Sequence, residues 1–145
     1  MTEVAFHFGA PDRLAYTCRL LRKATATGAR LLVRSTPQMA AALDAALWNL
    51  SPVDFISHCD AAAPEAVRQR SSVLLQDTTA PLQAQWPILI NLADDVPEGF
   101  EQFQRVIEVV STDEGDRNLA RKRWKHYTER GYAITRHDLT IKAGD

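Results

Sequence analysis

Apolar residues along the chain follow two rhythms. Val4 to Phe8 (VAFHF), Arg30 to Arg34 (RLLVR), Val73 to Leu75, Trp86 to Leu92 (WPILINL) and Arg105 to Val110 (RVIEVV) are short, dense runs, the pattern of buried strands. Between the first of them, Leu14, Cys18, Leu20 and Leu21 recur at helical spacing up to Gly28, and Met39, Leu43, Leu47 and Trp48 do so after the second. Gly9-Ala10-Pro11-Asp12 turns the first strand into the first helix, with Pro11 near its first turn, and Ser35-Thr36-Pro37 opens the second. Strand, helix, strand, helix in that order predicts a three-layer α/β fold, a mostly parallel sheet flanked by helices. The middle is less regular. Val53 to His58 reads as a short strand or extended loop, Cys59 to Val67 as a connection, and Phe100, Phe103 and Val106 as a short helix. Tyr132 to Leu139 reads as an edge strand before a frayed tail, and no boundary or repeat divides residues 1–145.

The clearest helix signal is Ser111 to Gly131 (STDEGDRNLARKRWKHYTERG). Ser111 with Glu114 fits a capping box, Asp113 and Asp116 suit the positive end of the dipole, and Gly131 is a natural terminator. At helical periodicity Ala120, Trp124 and Tyr127 share one stripe, and Arg117, Arg121, Lys125 and Thr128 lie beside it. The bases from Arg117 to Arg130 also include Lys122 and Arg123, and Glu129 is the one acid among them. The ordinary reading is a solvated face with aromatic core anchors. The sharper one is a dock for an anion that carries an apolar group, with the anion on the arginines and the apolar part on the aromatic edge.

Composition narrows the function classes. The chain is 46% apolar and 24% charged with net charge −1, which is globular and argues against a general nucleic-acid binder. No apolar run approaches the ~20 residues of a membrane helix, and the start MTEVAFHFGAPDR lacks signal-peptide character, so a cytoplasmic location is expected. Cys18, within a helix, and Cys59, in a loop, have no Cys-x-x-Cys spacing and are expected reduced. The first strand-to-helix turn, HFGAPDR, lacks the glycines of a dinucleotide site, and neither a Walker-type loop nor a Gly-x-Ser-x-Gly elbow occurs. His7, His58, His126 and His137 lack metal-ligand spacing, and His137-Asp138 cannot share one strand face. Asp94 and Asp95, after the strongest strand, and His7 are the residues a degenerate enzyme would use. No cofactor is expected.

A second unusual stretch is Leu47 to Ile56, where Trp48, Phe55 and Ile56 gather around Pro52. It reads either as a satellite core under a loop or as a hydrophobic patch for a protein partner.

ALDAALW ahead of Pro52 and Phe55, the WPILINL strand and NLARKRWKHYTERGY together resemble the chi subunit of bacterial DNA polymerase III holoenzyme, in element order across almost the whole chain. Leu119 to Tyr127 reproduces the family's Leu-Ala-Arg-x-Arg-aromatic-Lys-x-Tyr run. The resemblance implies a nucleotide-binding type of fold without its ligand site, no active site, and an adaptor role in DNA replication. One surface would hold the psi subunit of the clamp loader, another the acidic C-terminal tail of single-stranded-DNA-binding protein, which ends in Phe. Arg121 stands at the family's tail-binding arginine, Arg117 at a basic position one turn earlier, and Trp124 at a position usually Tyr. Lys125 would feel the tail's flanking acids, and Val110 is the expected floor of the Phe pocket. Trp48 and Phe55 match the family's psi-facing aromatics. The alternative function is direct binding of single-stranded nucleic acid by the basic helix.

Overall fold

The computed structural model describes residues 2–49, 56–78, 82 and 86–139. Strands β1 (Glu3–Ala10), β2 (Leu31–Ser35), β3 (His58–Asp60), β4 (Val73–Asp77), β5 (Ile88–Asn91), β6 (Arg105–Ser111) and β7 (Ile134–Asp138) form one sheet in the order β3-β4-β2-β5-β6-β1-β7. Every pairing in it is parallel. The helices are α1 (Arg13–Ala26), α2 (Pro37–Trp48), α3 (Glu65–Arg70) and α4 (Glu114–Glu129). The expected α/β architecture is present, with β7 as the expected edge strand.

Strand alternation sorts the side chains into two cores. Leu31, Val33, Ile90 and Ile107 pack with Leu21 of α1 and with Leu43 and Leu47 of α2. On the other face Phe6, Leu32, Leu89 and Val106 pack with Ala120 and Tyr127 of α4. Burying each Leu, Ile or Phe stabilises the fold by about 1.5–3 kcal/mol, so packing on both faces of the sheet holds the layers together.

The caps explain where the helices begin. Asp12 rather than Pro11 starts α1, its carboxylate accepting from Ala15 N at 3.1 Å, and Thr36 starts α2 ahead of Pro37. The expected cap of α4 moves by two residues. Ser111 belongs to the β6 ladder, so Asp113 is the N-cap and accepts from Asp116 N at 3.0 Å, while Asp116 accepts from Ser111 N at 2.7 Å. At the other end Gly131 has φ 86°. The N–H groups of Gly131 and Tyr132 bond the Thr128 and Tyr127 carbonyls, both at 3.1 Å, as the glycine terminator requires.

The middle departs further from expectation. Residues 59–67, expected as a connection, contain the end of β3, with Cys59 in a strand rather than a loop, and the start of α3. Val106 lies inside β6, and only Phe100–Gln102 form a 3₁₀ turn. Both cysteines are free.

A polar row crosses the otherwise apolar α4 side of the sheet. Gln76, Arg34, Asn91 and Glu108 are register partners on β4, β2, β5 and β6, and each is buried. Arg34, the charged end of the RLLVR run, is thus buried within β2. Glu108, fully buried, accepts from Arg123 Nε at 2.9 Å, from Tyr127 OH at 2.7 Å and from Asn91 Nδ2 at 3.0 Å. Burial pushes its carboxyl up, and Arg123, Tyr127 and Asn91 pull it back. All these partners are donors, so the group they fit is the carboxylate.

On the opposite face His7 of β1 lies against His137 of β7, ring centres 4.3 Å apart, and hydrogen-bonds the Tyr16 hydroxyl. Burial, then the charges of His137 and Arg105, lower its pKa from 6.5 to about 4. A histidine kept neutral in the folded state stabilises it fully above the unfolded value, and that contribution is lost as pH falls through the folded one. Wild-type unfolding free energy is therefore expected to drop between pH 6.5 and about 4. The drop should be smaller in His7→Asn, as urea titrations at several pH values would read; equal slopes would dismiss His7 as the cause.

Candidate functional site

The site is built where α4 packs over β1, beside the β7 edge of the sheet. Ala120 and Tyr127 point into the core, and Trp124, half-buried between them and the surface, leans on Phe6 with ring centres 5.0 Å apart. A surface pocket of about 330 Å³ opens beside this contact, lined by Phe6, Phe8, Val110, Ala120 and Trp124 and rimmed by Arg117, Arg121 and Arg136. Apolar walls and a cationic rim come from different elements. β1 and β6 supply Phe6, Phe8 and Val110; α4 supplies Ala120, Trp124, Arg117 and Arg121; β7 supplies Arg136.

Four of the five residues expected at this site, Arg117, Arg121, Trp124 and Val110, meet at the pocket. Lys125 does not line it: one turn beyond Arg121, it sits 3.9 Å from Glu129 in an exposed i,i+4 pair. Arg123, counted with the basic strip, is 2% exposed and belongs to the Glu108 cluster. Phe6, Phe8 and Arg136 had no place in the sequence-based site. Alternation within VAFHF carried the signal for the first two, since it puts Phe6 and Phe8 on one face of β1.

The rim arginines are partly engaged. Glu114 bridges them, with Oε1 at 3.7 Å from Arg117 Nη1 and Oε2 at 3.5 Å from Arg121 Nη1, and Arg121 also donates to Asn118. Exposed pairs of this kind are worth only about 0–1 kcal/mol, so a carboxylate that reaches the same guanidinium groups from the pocket can replace Glu114.

At the other end of the sheet Trp48, the last residue of α2, is 61% exposed. Its ring rests on His58 of β3 at 4.9 Å between centres, and His58 in turn lies 3.2 Å from Asp44 of α2. Phe55, expected beside it, lies outside the described residues.

The residues of the enzymatic alternative are not brought together. Asp95 is bound to Arg34 at 2.9 Å and the Asp94 carbonyl accepts from Arg123 at 2.9 Å, both at the carboxyl ends of the central strands where open α/β sheets hold ligands. His7 is on the other face. Among the described residues no group of three His, Cys, Asp or Glu side chains could hold a metal ion, and no helix is long and apolar enough to cross a membrane.

Residues 1–135 match the family model described as "DNA polymerase III chi subunit, HolC". The chain belongs to the chi-subunit family. The DNA polymerase III subunit chi of Pseudomonas aeruginosa is 30% identical over 148 residues, covering 96% of this chain and 98% of that one. Chi subunits are parts of DNA polymerase III, which places this chi-family chain in DNA replication within a larger assembly.

Solved structures extend the likeness to fold alone. The C-terminal domain of the DEAD-box protein Dbp5 superimposes with a TM-score of 0.59 at 13% identity, covering 97% of the chi-family chain and 91% of that domain. The S. cerevisiae Dbp5 C-terminal domain bound to a Gle1 variant and IP6 gives 0.60 at 14% identity, covering 95% and 90%. At these identities the likeness is one of fold, the expected parallel α/β sheet flanked by helices.

Proposed function

We propose that the chain is a single-domain, non-catalytic cytoplasmic adaptor that links the clamp loader, through psi, to the acidic C-terminal tail of single-stranded-DNA-binding protein. The observation that carries this reading is the α4 pocket, apolar inside and ringed by Arg117, Arg121 and Arg136. Its chemistry fits a ligand that joins an aromatic ring to a carboxylate. Burying the ring contributes about 1.5–3 kcal/mol and a charge-assisted hydrogen bond to Arg121 a similar amount, before the cost of association. Such a contact is weak and salt-sensitive, suited to a polymerase that must release and rebind as it moves along coated single strands. Trp48, exposed at the far edge of the sheet, supports a separate psi-facing surface, to which we also assign Phe55.

Direct binding of nucleic acid is less well supported. The chain carries a net charge of −1, and Arg123 of the basic run is buried against Glu108, out of reach of phosphates.

The test is a titration of the full chain with a short acidic peptide ending in Phe, its C-terminal amide, and an oligonucleotide, at low and moderate salt. Saturable binding of the acid form, weakened by amidation and by salt, is the expected result; stronger binding of the oligonucleotide would transfer the function to nucleic acid. Glu114→Gln removes the internal competitor and is expected to tighten peptide binding about two- to fivefold at low salt, the size of a surface pair. An unchanged or weakened affinity would mean that Glu114 does not occupy the arginines in solution.

A further inference from the structure

We infer that Arg136 makes the pocket selective for a C-terminal aromatic residue, meeting the ligand's carboxylate from the sheet side while Arg121 meets it from the helix; the inference rests on the tail-binding reading above. Arg136 sits on β7 as the register partner of Phe6, which is a wall of the pocket. Its guanidinium lies over two aromatic walls at once, 5.4 Å from the ring centre of Phe8 and 5.8 Å from that of Trp124. Stacking of this kind holds the planar group in one orientation while its N–H edges remain free to donate.

The other rim cations differ in state. Arg117 and Arg121 share Glu114, whereas among the described residues Arg136 has no carboxylate partner. A ring seated against Phe6, Val110 and Ala120 leaves its own backbone at the mouth, between α4 and β7. If that residue is the last of its chain, its carboxylate lies between Arg121 and Arg136 and can accept from both. An internal Phe presents a neutral peptide group there and gains neither charge-assisted bond. Reading ring and carboxylate on the same residue therefore needs a cation on each side of the mouth.

The experiment measures affinity of the full chain for three peptides: the acidic peptide ending in Phe, its amide, and the same peptide extended by one glycine. Wild type, Arg136→Gln, Arg136→Lys and Arg121→Ala are compared; Arg136 is exposed on an edge strand, and melting curves confirm that each variant is folded. Arg136→Gln is expected to weaken the acid peptide about tenfold and leave the amide within about twofold, a typical charge-assisted bond being worth that much. The acid-to-amide preference should therefore collapse, and Arg136→Lys, which keeps the charge but not the stacked plane, should restore part of it. If Arg136→Gln keeps the wild-type preference while Arg121→Ala abolishes binding, the inference is wrong and the tail-binding reading stands. If wild type binds none of the peptides, the reading itself is overturned, and this inference with it.

Discussion

Arg123→Met is expected to lower the free energy of unfolding by about 3–5 kcal/mol, the cost of leaving a buried charge without its partner. Glu108 is 0% exposed and, among the described residues, takes its only direct cationic contact from Arg123, at 2.9 Å. Asn91 and Tyr127 would still donate to it, but neither supplies charge. Methionine keeps most of the stem volume, so the loss measures electrostatics rather than a cavity. Adding Glu108→Gln to the same chain removes the stranded charge and should recover at least half of the loss. Urea unfolding of the single and double variants reads both effects. A single variant within about 1 kcal/mol of wild type, or a double no better than the single, would falsify the account of Glu108 as a carboxylate that depends on Arg123.

Arg121→Ala and Trp48→Ala are expected to separate two binding functions. The first should weaken the tail peptide at least tenfold, since a charge-assisted bond contributes about 1.5–3 kcal/mol and a factor of ten is 1.4 kcal/mol. The second should spare that peptide and weaken psi, because a large exposed aromatic is the typical anchor of a protein interface. Both side chains are solvent-exposed, so neither change removes core packing. Their distance apart favours independence: Arg136 and its pocket are at the β7 edge, Trp48 stacks on β3 at the other, and six inter-strand spacings of about 4.8 Å come to roughly 29 Å. Isothermal titration of each variant with the peptide and with purified psi gives the matrix. One substitution that abolished both interactions would leave a single shared surface.

How far the sequence reveals this molecule depends on how local the deciding interactions are. WPILINL and RVIEVV announce β5 and β6 because a strand buried on both faces is apolar along most of its length. β3 and α3 give no such signal: β3 is a three-residue pairing of His58 to Asp60, and α3 buries no side chain, so neither carries an apolar stripe. The misplacement of Arg123 has a different cause. In sequence it is one more base in a basic run, and only folding brings Glu108 beneath it, Asn91 beside that, and Arg34 beyond. The pocket divides in the same way. Its α4 half follows from the 3.6-residue period, which sets Ala120 and Trp124 beside Arg117 and Arg121. Its sheet half depends on parallel pairing of β1 with β6 and β7, as of Glu3 with Arg105 and of Val4 with Ile134, segments far apart along the chain, and no local pattern reports that.

The strand order has a mechanical consequence. A pull between the two outer edges acts across the strands, along the direction of the inter-strand hydrogen bonds, and opens a ladder one rung at a time instead of shearing all its rungs together. Among the described residues, strand β7 pairs in the sheet with β1 alone, through five register positions, and would peel away first. The tail contact proposed at that edge, if it lets go under low tension, would protect the domain, acting as a fuse that parts before the sheet unzips.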